Sequence, residues 1–168
     1  MNRLFYSSCS SILGEICFAS TSRGICWLTI DVKKKISSIK SFLEEKYGRE
    51  AIPAGDDNKY IKEQLNAYLK GSLKRFECNI DFIEGTPFQK QVWRATSMIP
   101  FGRVVAYKDI AIRINRPKAF RAVGQALGAN PIAIIVPCHR VISSNGTLGG
   151  FGLGLELKKH LLALEGIL

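Results

Sequence analysis

The segment Ile134-Ile135-Val136-Pro137-Cys138-His139-Arg140-Val141-Ile142 sets a thiol beside an imidazole inside an otherwise apolar, β-branched run. That composition predicts a buried strand. Pro137 has no amide hydrogen, so the strand ends or lies at an edge there, with Cys138 in a fixed bend just beyond. Neighbouring residues of a strict strand point to opposite faces, which separates Cys138 from His139. A turn or helical start at Pro137 instead brings both rings toward one pocket, and the residues accommodate either geometry. A buried structural cysteine is the simplest account of Cys138. What points to chemistry is its company: His139, Arg140 and a glycine-rich stretch directly downstream.

Downstream, Ser143-Ser144-Asn145-Gly146 reads as a turn carrying the type I′ Asn-Gly signature. Gly149, Gly150, Gly152 and Gly154 follow. They match neither the dinucleotide fingerprint nor a phosphate-binding loop, so a pocket wall around Phe151 is the better reading. A last helix is expected over 155–164, with Leu157, Leu161 and Leu164 inward, Lys158 and Lys159 toward water or DNA, and His160 within reach of Glu156. Glu165 is an acid at the unfavourable end of that helix, which calls for a partner, and His139 is the available one.

Upstream, Asn130 precedes a proline, so it is extended or in a turn that its side chain can tie together. Before it, helices over 107–114 and 118–127 flank the turn Asn115-Arg116-Pro117, which is the outline of a helix-turn-helix. Arg103, Lys108, Arg113, Arg116, Lys118 and Arg121 fall in this span against Asp109 alone. Ala119, Ala122, Gly124 and Ala126 allow the second helix to approach a groove or to pack tightly on the first. Thr86-Pro87-Phe88-Gln89 is a capping box with proline at the first helical position. It opens a helix whose Phe88, Val92, Ala95 and Ile99 form a buried stripe with Trp93 beside it, and Pro100-Phe101-Gly102 ends it.

The N-terminal half reads as strands over 3–8, 14–20 and 24–30, with Cys17, Phe18, Cys26 and Trp27 in the core. A helix over 32–47 follows, capped by Asp31, with Lys33-Lys34-Lys35 solvated and Gly48 at its end. Pro53-Ala54-Gly55 is a link, a second helix covers 57–70, and a strand over 76–80 leads to the boundary. The domain plan is 1–80, a linker at 81–85, and 86–168.

The chain has 168 residues, 46% of them hydrophobic, enough for one sizeable core or two small domains. Residues 86–168 carry 11 Lys and Arg against 3 Asp and Glu, whereas 1–85 carry 13 against 11. The basic excess of the C-terminal half implies a polyanion partner. No apolar run approaches the roughly 20 residues of a membrane span. Ser7, Ser8, Ser10 and Gly14 interrupt any signal-peptide core, so the expected location is the cytoplasm. Five cysteines, no CxxC pair and two histidines argue for a reducing compartment and against a metal site or other cofactor.

Pro137-Cys138-His139-Arg140, preceded by Arg121-Ala122-Val123-Gly124 and followed by the glycine loop and Leu161-Leu162-x-x-Glu165-Gly166, resembles the active site of the O6-alkylguanine-DNA alkyltransferases. The resemblance is strong over 86–168 and weak before it. It implies a ribonuclease-H-like α/β N-terminal domain and a mostly α, winged-helix-like C-terminal domain containing the helix-turn-helix. The implied function is repair by irreversible transfer of an alkyl group from guanine O6, with O4-alkylthymine also open, to Cys138. His139 takes the thiol proton through a water, and Glu165 orients His139. Tyr107 crowds the flipped nucleotide's phosphate and assists protonation of the departing guanine. Arg121 enters the duplex where the nucleotide has left, with Arg103, Arg116, Lys118 and Ala122 also on DNA. Asn130 stabilises the hinge, Arg140 ties the motif to its surroundings, Val141 and Phe151 line the base pocket, and Lys158 supports it. The implied partner is double-stranded DNA, bound through its minor groove with the damaged base flipped, by a monomer that needs no cofactor.

Three positions depart from the family pattern: Ala129 for a glycine, Ala106 for a capping serine, and Phe151 for a frequent tyrosine. The zinc ligands of some members have no counterpart. A free thiol has a pKa near 8.5, so the chemistry needs His139 as a base. Attack on the alkyl carbon leaves a thioether with no easy hydrolysis, hence one lesion per molecule. A non-catalytic protein that only binds alkylated DNA is the alternative, but relatives of that kind lack the cysteine. A cysteine hydrolase leaves the basic helix-turn-helix without a purpose.

Overall fold

The three alternating runs near the N-terminus pair as two hairpins: β1 (Leu4–Ser11), β2 (Gly14–Thr21) and β3 (Gly24–Asp31). Tyr6 faces Ala19 across the first pair and Phe18 faces Leu28 across the second. A three-residue strand, β4 (Ala51–Pro53), adds in parallel to β1, so the sheet order is β3-β2-β1-β4. The sequence reading took Pro53 for part of a link. Its lack of an amide hydrogen is tolerated because β4 is an edge strand. Leu4, Cys17, Ala19, Cys26 and Trp27 pack against Leu43 of helix α1 (Ile39–Tyr47). This is a computed structural model, and it describes residues 3–31 and 38–168.

The first helix differs from expectation at its start. Asp31 is the last residue of β3, opposite Glu15, and the cap is Ser38, whose side chain accepts from the Ser41 amide. The Lys33-Lys34-Lys35 run lies outside the described residues. Gly48 closes the helix in the left-handed conformation, as its position implied. Helix α2 (Lys59–Leu69) follows.

The strand expected over 76–80 does not form. Only Ile80 makes a bridge, to Ile25, fixed by Ile25 N–H to Asn79 O at 2.9 Å and Asp81 N–H to Ile25 O at 2.8 Å. Gln64 of α2 takes the place of a neighbouring strand. Its side chain accepts from the Glu77 amide at 2.6 Å and donates to the Glu77 carbonyl at 3.2 Å. Backbone groups satisfied by a side chain have no need of a ladder.

The chain divides into two units, Met1–Ile83 and Glu84–Leu168. The second begins with α3 (Pro87–Ser97), where both bonds of the capping box at Thr86 and Gln89 are present. Buried Trp93 donates its indole N–H to Ala126 O at 2.7 Å. That bond ties α3 to α5 (Phe120–Gly128), which packs on α4 (Tyr107–Arg113) as the helix-turn-helix. Asn115 turns the corner at φ 57°, a conformation asparagine tolerates better than most residues. Ala106 offers no capping side chain, and Asp109 compensates by accepting from the Ala106 amide at 2.8 Å. Two short strands, β5 (Val105–Ala106) and β6 (Val141–Ile142), pair in parallel, and α6 (Leu155–Leu164) ends the chain.

The apolar run before Cys138 is not a strand. Ile134 has φ 68°, and the Ile135 amide donates to Ala133 O at 2.8 Å, a tight γ-turn of the rare positive-φ kind. Pro137 sits at φ −80°, ψ 64°, with the Cys138 amide donating to Val136 O at 2.8 Å, an inverse γ-turn. Hydrophobic content correctly implied burial, since residues 131–140 are all buried. It carried no information on how the backbone satisfies itself there. The Asn145-Gly146 turn also differs. Gly146 has φ 83°, but Asn145 is not among the positive-φ residues, so the turn is not type I′.

Gly85, at φ 95°, has the Trp93 ring 2.5 Å from where a Cβ would stand, whereas Gly146 has open space around it. Gly146→Ala is expected to cost about 1–2 kcal/mol of backbone strain. Gly85→Ala adds roughly 1–3 kcal/mol of overlap with a buried indole. Urea titrations of the two variants should separate them in that order; equal midpoints would contradict the packing at Trp93.

Candidate active site

Cys138, His139 and Arg140 form a single 3-10 turn between the γ-turn at Pro137 and β6. The turn resolves the question of opposite faces, because three successive side chains fan out instead of alternating. The Arg140 amide donates to Pro137 O at 2.9 Å and closes it.

Behind the turn lies a buried charge cluster. His139 Nε2 is 2.8 Å from Glu165 Oε1. Arg140 donates from Nε to Glu165 Oε2 at 2.9 Å and from its terminal amino group to Oε1 at 2.9 Å. Its other terminal nitrogen donates to Ile99 O at 2.6 Å. The Gly102 amide donates to Glu165 Oε2 at 3.2 Å. Glu165 sits at the C-terminal cap of α6, against the helix dipole. Arg140 and His139 offset that placement, and both Glu165 and His139 are sealed from solvent. Removing one partner of such a pair typically costs about 3–5 kcal/mol, because the other is left charged and buried.

Burial is the largest influence on His139 and pushes its pKa below the ordinary 6.5. The Glu165 hydrogen bond and charge oppose this, and the Arg140 and Lys158 charges add to it. His139 is therefore neutral at neutral pH. A carboxylate can only accept, so the proton of the neutral ring resides on Nε2 and Nδ1 is the basic nitrogen.

Cys138 lies at the floor of a cavity of about 750 Å³, with Tyr107, Phe151 and the α5 residues Arg121, Gly124 and Gly128 among its walls. Burial pushes the thiol up. The Asn130 side chain, the Lys158 charge and the Cys138 and His139 amides pull it back. Asn130 is central to the local geometry. Its Oδ1 accepts from the Ile132 amide at 3.0 Å, while Nδ2 donates to Val136 O at 2.9 Å and to Cys138 Sγ at 3.2 Å. One amide group thus ties both ends of the turn and touches the sulfur.

Contrary to the reading from its position on the helix, Lys158 does not face water or DNA; the resemblance had it supporting the base pocket. It is fully buried. Its Nζ donates to Val141 O at 2.6 Å, Leu148 O at 2.5 Å and Gly150 O at 3.2 Å. Desolvation lowers its pKa to about 8, opposed by Cys138. Lys159, the exposed neighbour, pairs with Glu156 at 2.8 Å, the acid that the sequence offered to His160. Tyr107 projects from the first turn of α4 into the cavity, its hydroxyl hydrogen-bonded to the Gly150 backbone. Burial and the Cys138 charge raise its pKa.

Of the other residues singled out from sequence, Arg103, Arg116, Lys118, Arg121 and Ala122 are exposed. Val141 is fully buried and is absent from the cavity wall, so it meets the site through its carbonyl on Lys158. Gln125 lines the cavity and was missed, while Ala129 and Gly149 were named only as a departure from the family pattern and as part of the glycine run. A Cβ on Gly149 would lie 2.7 Å from the Tyr107 hydroxyl, so the tyrosine position depends on a bare backbone there. The glycine run signalled close approach without naming what approaches. A larger polar groove, of about 820 Å³, lies in the N-terminal unit. It lacks an activated nucleophile: burial pushes its cysteine, Cys78, up to about 11.

Comparison with known proteins follows the same outline. Residues 87–167 match the family described as 6-O-methylguanine DNA methyltransferase, DNA binding domain. A methylated-DNA–protein-cysteine methyltransferase of Methanosarcina barkeri is 42% identical over 96% of this chain and 97% of its own. The crystal structure of Mycobacterium tuberculosis O6-methylguanine methyltransferase superposes with a TM-score of 0.81 at 37% identity, covering 96% of this chain and 92% of that one. The M. tuberculosis OGT in complex with DNA gives 0.79 at the same identity and coverage.

Asn130→Ala is expected to raise the Cys138 pKa further, because it removes the donor that favours the thiolate. Iodoacetamide labelling of Cys138 against pH should show the profile displaced to higher pH. The lost Val136 bond should lower stability by about 1–3 kcal/mol. A labelling profile that stays in place would rule out the Asn130–sulfur contact as a determinant.

Proposed function

Because the chain belongs to the family of methylated-DNA–protein-cysteine methyltransferases, we propose that it repairs O6-alkylguanine in double-stranded DNA by moving the alkyl group onto its own Cys138. The observation that carries this reading is the placement of a single buried thiol at the floor of a base-sized cavity walled by α5, the second helix of the basic helix-turn-helix. A nucleobase reaches such a thiol only after leaving the base stack.

The chemistry follows from two opposed pKa displacements. Burial keeps the Cys138 thiol protonated and His139 neutral, so the resting site holds no thiolate–imidazolium pair. Once an alkylated base fills the cavity, His139 takes the thiol proton through a water. Glu165 accepts from Nε2 and stabilises the imidazolium that forms, while Arg140 holds Glu165 in place. The sulfur lone pair attacks the alkyl carbon and the carbon–O6 bond breaks, its electrons passing to the guanine. Tyr107, whose hydroxyl lies on the loop side of the cavity, assists delivery of a proton to the base so that neutral guanine departs. Lys158 places a positive charge near the sulfur and pins the carbonyls of Leu148 and Gly150, which fixes the wall bearing Phe151.

The thioether product has no easy route to hydrolysis, so each molecule acts once. Arg103, Arg116, Lys118, Arg121 and Ala122 contact the DNA, with α5 in the minor groove, Arg121 entering the duplex, and the chain acting as a monomer. The long run without acids supports this: none occurs between Asp109 and Glu156. No helix among the described residues is long and apolar enough to cross a membrane.

Incubation with duplex DNA containing O6-methylguanine is expected to add one methyl group to the intact mass, confined to Cys138 and absent from Cys138→Ala. An unchanged mass for the unmodified protein would overturn the reading.

The pH profile gives a second check. His139 must be neutral to accept the proton, and its pKa lies below the ordinary 6.5. The single-turnover rate is therefore expected to hold as pH falls through 6.5 and to drop only at lower pH. Stability moves the same way. The unfolded chain takes up the His139 proton at about 6.5 and the folded chain only below that, so stability declines as pH falls below 6.5. A rate midpoint at or above 6.5 would remove His139 as the base.

A further inference from the structure

Phe120 is the first residue of α5 and is 46% exposed. The other large apolar residues of that helix, Val123 and Leu127, are buried. Helical spacing places Phe120 one turn before Gly124, on the same side of the helix. Gly124 lines the Cys138 cavity, as does Arg121. The ring therefore stands at the rim of the cavity mouth, on the edge of the face that carries Arg121. A cation stands over it: the Arg121 guanidinium carbon lies 5.9 Å from the ring centroid, and Arg116 and Lys118, a few residues earlier in sequence, are exposed. A half-exposed aromatic ring beside an exposed guanidinium is not fully taken up by the core. A partner that satisfies both features must present negative charge and flat apolar faces together, and a DNA strand presents phosphates with sugars and bases.

We propose that Phe120 is an apolar wedge that enters the minor groove beside Arg121 and packs on the sugar and base next to the extruded nucleotide. Apolar side chains inserted at a base step partly unstack it, and the ring would do so at the mouth through which the damaged base reaches Cys138. Arg121 supplies charge and hydrogen bonding in the gap, and Phe120 supplies the contact that keeps the neighbouring base from closing it. The residue is a positioning and specificity element and never touches the reacting atoms. The proposal rests on the alkyltransferase reading of α5 and the cavity.

Three measurements on Phe120→Ala and Phe120→Leu test it: single-turnover repair of O6-methylguanine in duplex DNA, duplex affinity against salt concentration, and iodoacetamide labelling of Cys138 without DNA. Phe120→Ala is expected to slow duplex repair roughly tenfold, the scale of one lost base–aromatic contact. Phe120→Leu should retain most of the rate, since bulk and apolarity remain. The salt slope should be unchanged, because no phosphate contact is lost. Thiol labelling should equal that of the unmodified protein. Repair by Phe120→Ala within twofold of the unmodified protein overturns the proposal. So does an equal loss in Phe120→Leu, which would assign the ring to holding Arg121 through its π face. A parallel loss of thiol labelling would assign the effect to the fold of the site and also overturns it. If the unmodified protein itself gains no methyl group on duplex DNA, the alkyltransferase reading has failed, and that result is separate from any difference between the variants.

Discussion

Arg140 and Glu165 meet side-on, buried away from solvent, and much of the second unit is arranged to make that contact tolerable. The carboxylate receives Arg140 from one direction, His139 from another and the Gly102 amide from a third. Another guanidinium nitrogen donates to the Ile99 carbonyl, just beyond the end of α3. Three distant pieces of sequence are thereby tied to one point: the Ile99–Gly102 turn that follows α3, the Cys138–Arg140 turn and the end of α6. Each piece has its own local reason to stop where it does. The ion pair makes those stops coincide.

The same cluster manages a conflict between burial and reactivity. A sulfur nucleophile shielded from water avoids adventitious chemistry, yet burial disfavours its ionised form. The site leaves both Cys138 and His139 neutral at rest and prepares the surroundings for the charges that appear during reaction. In the proposed reaction Glu165 would face the imidazolium that forms, while Asn130, Lys158 and two backbone amides would face the thiolate. Preorganised dipoles of this kind cost nothing at the moment of reaction. Lys158 is the boldest element, a buried ammonium held by three carbonyls that also fasten the cavity wall.

Helix α5 serves two environments at once. Val123, Ala126 and Leu127 join the core, and the Ala126 carbonyl receives the Trp93 indole. Its other side carries Arg121, Gly124 and Gly128 into the cavity and Phe120 to the rim. Small residues at 122 and 124 first read equally well as packing or as groove-facing. The structure assigns Ala122 to solvent, while Gly124 lies against Tyr107, the first residue of α4, and also lines the cavity, so at that position both readings hold.

What the sequence determined by itself was whatever rests on local grammar and on chemical identity. The hairpins, the Thr86 capping box, the two-helix unit and the last helix are written in short-range patterns, and each forms close to where those patterns put it. Cys138 with His139, and Glu165 as an acid lacking a local partner, were visible because their chemistry is out of place where they stand. Tertiary structure decided the rest. The segment before Cys138 became two γ-turns, since the Asn130 side chain and internal amide bonds satisfy a backbone that alternation alone would have sent into a sheet. The segment over 76–80 stayed irregular because Gln64 supplied its hydrogen bonds from another helix. Lys158 turned inward because three carbonyls converge where its ammonium ends. In each case the deciding partner lies outside the local window, and no pattern within the segment carries its position.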